Sequence, residues 1–67
     1  HMENVKKINS MINDQAVIIG TLSNQYAVTL NQEKKMKLAI QMENAANILR
    51  IQAERLGTLT DEVYGNE

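Results

Sequence analysis

Between residues 32 and 56 the chain carries neither glycine nor proline, and its apolar residues return every three or four positions: Leu38, Met42, Ala45, Leu49, Ala53 and Leu56. That spacing marks one helical face, because residues three or four apart stand above one another on a helix. Most residues between them are good helix formers. Thr29-Leu30-Asn31-Gln32 fits a capping box at the start, with the Thr29 hydroxyl and the Gln32 side chain satisfying free backbone N–H groups; Asn31 is a competing cap. Gly57 fits the residue just past the end, and Arg50 and Arg55 suit the negative end of the helix dipole. A helix over residues 30–56 is expected.

The first half reads in two ways. Val5, Ile8, Ile12, Ile19, Leu22 and Tyr26 fit heptad a and d positions, with Gln15 at the remaining inward site (Gln52 holds a like d-type position on the second helix), which gives a long helix over residues 3–28. Against it, residues 16–22 and 25–30 are rich in strand formers, and Ser23-Asn24 offers a two-residue turn. Gly20 inside a helix costs about 1 kcal/mol relative to Ala. Three considerations favour the helix. The heptad phase is unbroken, Ser-Asn is a weak hairpin turn, and two helices of roughly 40 Å each match as an antiparallel pair.

The fold expected is all-α: an antiparallel hairpin of two long helices plus a short C-terminal turn, assembling into a homodimeric bundle. An α-β-β-α arrangement with a small hairpin at residues 16–30 is the alternative. In the tail, residues 58–67, Leu59 and Val63 offer one short docking turn, and the last three residues are expected to fray.

Composition explains why a second copy enters the expectation. The whole chain of 67 residues makes one domain, and a domain this small buries only about 60% of the surface its unfolded form exposes. There is no Cys, Trp or Phe, and Tyr26 and Tyr64 are the only aromatics. A disulfide or thiolate–metal staple is excluded, the core must come from aliphatic residues, and self-association is the remaining way to stabilise it.

His1-Met2 reads as an expression-vector scar followed by the start, so no histidine is left for chemistry. No apolar run approaches the roughly 18 residues of a membrane span, and a cytoplasmic location is expected. Abundant Asn, Lys and Ile fit an AT-rich genome, such as those of low-GC bacteria, their phages or plasmids.

Catalysis is poorly provided for. Without His or Cys the common base and nucleophile pairings are missing, and Ser10 and Ser23 lack recognisable partners. Glu33, Glu43, Glu54, Asp61 and Glu62 are dispersed, and Glu33 with Lys37 reads as a solvated helix pair. No phosphate loop or calcium-loop spacing occurs. Neither an enzyme nor a bound metal or cofactor is expected.

Nucleic-acid binding would use Lys34, Lys35 and Lys37. In a hairpin, however, these lie at the opposite end from Lys6, Lys7, Arg50 and Arg55, and the net charge is only −1. Such a split footprint is weak.

The sharper feature lies on the second helix. With Leu38 at zero and 100° per residue, the seam residues fall within about 60° of one line, whereas Met36, Ile40, Ile48 and Ile51 fall at roughly 160–280°. One partner helix covers only one stripe. Met36, Ile40, Asn47, Ile48 and Ile51 are therefore the expected interaction surface. The leading functional expectation is a small non-enzymatic adaptor or inhibitor, homo-oligomeric and dimeric by default, that binds a larger protein. A DNA- or RNA-binding hairpin dimer and a structural or assembly chaperone are the alternatives.

Overall fold

The computed structural model describes residues 2–65 as two antiparallel helices, α1 (Met2–Val28) and α2 (Gln32–Tyr64), connected by Thr29, Leu30 and Asn31. The expectations about His1 and the last two residues lie outside the described residues. The all-α hairpin is borne out, and the strand alternative at residues 16–30 is not. Along α1 the shielded side chains are Val5, Ile8, Ile12, Gln15, Ile19 and Leu22, a strict alternation of three and four. Of the three consecutive β-branched residues, only Ile19 turns inward; Val17 and Ile18 stay exposed. Burial along the seam outweighs their strand propensity. Gly20 lies outside the seam, where an added Cβ would meet nothing within 4 Å.

On α2 the same alternation takes in Lys35, Leu38, Met42, Ala45, Leu49, Gln52, Leu56, Leu59 and Val63. Two expectations are corrected here. Ala53, expected on the inner face, is exposed, whereas Gln52 beside it faces inward as its d-type position implies. The helix also continues beyond residue 56. Gly57 has no positive φ, so it is no terminal cap. Leu59 and Val63 prolong the buried line, and the Thr58 hydroxyl donates to the Glu54 carbonyl at 3.2 Å. What looked like a separate short turn is the last part of α2, which closes with the Gly65 N–H donating to the Asp61 carbonyl at 2.7 Å.

The connection is capped on both sides, and of the two candidates for the start of α2 it is Asn31, not Thr29, that serves. Asn31 Oδ1 accepts from the Lys34 N–H at 2.9 Å and caps α2. Thr29 serves the other helix, its hydroxyl donating to the Gln25 carbonyl at 2.6 Å. Lys35, at a seam position, lays its ammonium 4.6 Å from the centre of the Tyr26 ring. At the open end the Tyr64 hydroxyl donates to Met2 Sδ at 2.9 Å.

The molecule measures 53 × 14 × 14 Å, a rod one helix pair thick. Such a shape has little interior: among the described residues only Ile8, Leu38 and Ala45 are buried. Ile8 shares one groove wall with Leu59, and Leu22 shares another with Ala45. One heptad along from the first pair, and one short of the second, the register brings Gln15 level with Gln52. The Gln52 Oε1 is buried without a hydrogen-bond partner. A polar layer of this kind costs stability, about 1–3 kcal/mol for an unpaired buried group. It also disfavours a slip by one heptad, which would set each glutamine against an aliphatic layer.

Candidate interaction surface

The five residues expected to form the interaction surface all lie on α2 and all face solvent: Met36, Ile40, Asn47, Ile48 and Ile51. Helical geometry explains their exposure. The seam takes two positions in every seven, and α1 is too narrow to reach the far side of α2. Ile40 and Ile51 keep 55% and 56% of their surface accessible, so these are open side chains and not the edges of core residues. Ile48 sits nearer the seam, beside Leu49.

The sequence pattern on α2 alone misses a contribution from α1. Ile18 and Leu22 face Gln41, Asn44, Ala45 and Ile48 across a shallow groove beside the seam. Met11 flanks the same side nearer the open end, with Lys7 and Arg55. The available signal was adjacency: Met11, Ile18 and Ile48 each immediately precede a seam residue (Ile12, Ile19 and Leu49). The opposite flank carries the exposed small residues Ala39, Ala46 and Ala53. The hairpin therefore has one bulky apolar flank and one thin one.

The three lysines considered for nucleic acid do not all share a face. Lys35 is drawn into the seam over Tyr26, and Lys37 pairs with Glu33 at 3.8 Å. Lys34 and Lys37 border a shallow groove with Asn31 and Glu33, so an acid lies within the same patch. Lys7 and Arg55 meet at the other end of the rod.

The second ion pair, Arg50 with Glu54 at 3.0 Å, is also an exposed i, i+4 contact. Each such pair contributes a few tenths of a kcal/mol. No group of three or more His, Cys, Asp or Glu side chains is placed to hold a metal ion among the described residues. Among them, too, no helix is long and apolar enough to cross a membrane.

The accessible surface is 5250 Å² for a mass of 7.6 kDa. A compact chain of that mass would expose about 4,300 Å². The excess, roughly 900 Å² on that scale, lies on a rod whose outer side is dotted with isoleucine. No family model, no curated protein and no solved structure matches this chain.

Proposed function

We propose that this protein is a binding module: a helical hairpin that self-associates, dimeric in its simplest form, and acts as an adaptor or inhibitor by engaging a larger protein. The observation carrying this reading is the exposed apolar row Ile40, Ile48 and Ile51 on the side of α2 that α1 leaves uncovered. Contiguous exposed apolar patches on small proteins are removed from water by association. Small size favours the same outcome, since a two-helix rod with three buried side chains among its described residues holds a thin core.

The test has two parts. Sedimentation equilibrium at micromolar concentration is expected to give an assembly of at least two chains; a stably folded monomer overturns the self-association. Immobilised wild-type protein is then compared with Ile40→Glu/Ile51→Glu in capturing proteins from the native host. A partner held by the wild type and lost by the helical double variant supports the adaptor reading. Equal capture by both places the binding surface elsewhere.

A further inference from the structure

The outer face of α2 is self-complementary about its middle. Asn44 stands near the middle; Ile40 precedes it by one helical turn and Ile48 follows by one. Farther out, Glu33 and Lys34 stand toward the turn as Glu54 and Arg55 stand toward the open end, and all of these side chains are exposed. A face with this symmetry complements a copy of itself laid in the opposite direction.

We infer that α2 packs antiparallel against α2 of a second copy, with a two-fold axis passing beside Asn44. This pairing rests on the self-association proposed above and specifies its geometry. Residues equally far before and after Asn44 then face one another across the axis. Ile40 meets Ile48 of the second copy, and the symmetric contact completes a cluster of four isoleucines around the paired Asn44 amides. Lys37 lays its aliphatic stem over Ile51 of the second copy. Lys34 meets Glu54 and Arg55 meets Glu33, each twice by symmetry. Among the described residues the ion pairs engage Lys37 and Arg50, and neither Lys34 nor Arg55 has one. The two cations are thus free, and Glu33 and Glu54 would each serve two cations, one within its own helix and one across the axis.

The parallel alternative fits worse. It sets Lys37 against Lys37, Glu33 against Glu33 and Arg55 against Arg55, although each isoleucine would meet its own copy. Like-charge contacts thus replace the opposite-charge ones of the antiparallel pair. The groove bordered by Ile18, Asn44 and Ile48 adjoins the axis and brings α1 to its rim. Met36 falls outside this interface.

Single-cysteine crosslinking tests the geometry, because the chain has no cysteine of its own. With oxidised glutathione, Asn44→Cys is expected to give a covalent dimer and Ile51→Cys to remain uncrosslinked, since only position 44 lies on the axis. K34E and E54K are each expected to weaken association at least about fivefold by replacing attraction with repulsion. The double variant K34E/E54K, with the charges exchanged, should return to within about twofold of wild type. Efficient crosslinking at both cysteine positions means a parallel pair and overturns the register. A wild-type dimer with neither Asn44→Cys crosslinking nor charge rescue also overturns this pairing while leaving self-association standing. A folded wild-type monomer removes both.

Discussion

Two faces of α2 carry similar side chains and meet opposite fates. Leu38, Met42, Leu49 and Leu56 turn toward α1 and lose most of their contact with water, whereas Met36, Ile40 and Ile51 keep more than half of theirs. The difference is not one of hydrophobicity. It is the presence of a partner within the chain. A hairpin of two helices has one seam, and each helix in it can be satisfied along only one line. The inner face therefore holds the fold together, while the outer face stays available to another molecule.

Substitutions that act on one face and spare the other break or sharpen this contrast. The largest effect on folding is expected at the seam: Leu38→Ala removes one of the few buried side chains, costing about 2–4 kcal/mol. In a chain with this little core, the loss should appear as collapse of helical circular dichroism well below the wild-type melting temperature. A variant as helical and as heat-resistant as wild type would mean that the seam is not the seat of stability.

The polar layer comes next. Replacing Gln15 and Gln52 together by Leu removes the unpartnered Gln52 oxygen and is expected to raise unfolding stability by about 1–3 kcal/mol in urea titration. The same change removes the penalty on heptad slippage, so a narrow thermal transition should broaden. Unchanged stability would show that this layer is well solvated.

Gly57→Ala is expected to stabilise by about 1 kcal/mol, because the residue lies within α2 and an added Cβ meets nothing within 4 Å. A glycine serving as a left-handed cap would lose stability on the same change, so the sign decides between a helix that passes residue 57 and one that stops there.

The smallest effect on the fold is expected from Ile40→Glu with Ile51→Glu, within about 0.5 kcal/mol per site for exposed positions. It is read below the concentration at which chains associate, since assembly itself adds stability. The same variant should sediment as a smaller species than wild type. Loss of helicity comparable with Leu38→Ala would erase the distinction between the two faces.

Much of the hairpin was legible because periodicity is a local property. The a and d series of α1 from Val5 to Leu22 and the run from Leu38 to Leu49 in α2 appear in the order of residues, and burial follows them; Tyr26, the last of the α1 series, stays exposed under the Lys35 ammonium. The departures occur where neighbouring candidates compete. Ala53 and Gln52 are adjacent, and spacing alone places both inward; the strict three–four step of the two-helix seam admits only the glutamine. Gly57 resembles a stop signal, and Thr29 resembles a cap, as long as each is weighed against its own neighbours. Across the hairpin, Leu59 and Val63 still have α1 to pack on, so α2 continues through the glycine. Thr29 is taken up by α1, which leaves the cap of α2 to Asn31.

The order of amino acids determined by itself that the second half of this chain is helical, that its core is aliphatic and thin, and that α2 is apolar on two sides. These follow from side-chain chemistry and from the 3.6-residue turn, which need no knowledge of distant neighbours. Only the tertiary structure decided where α2 ends, which of two adjacent residues faces inward, and that Ile18 joins Ile48 beside the seam. Each of those depends on what α1 presents at the same level along the rod, and contacts between residues far apart in the chain are set by the packing of the two helices together.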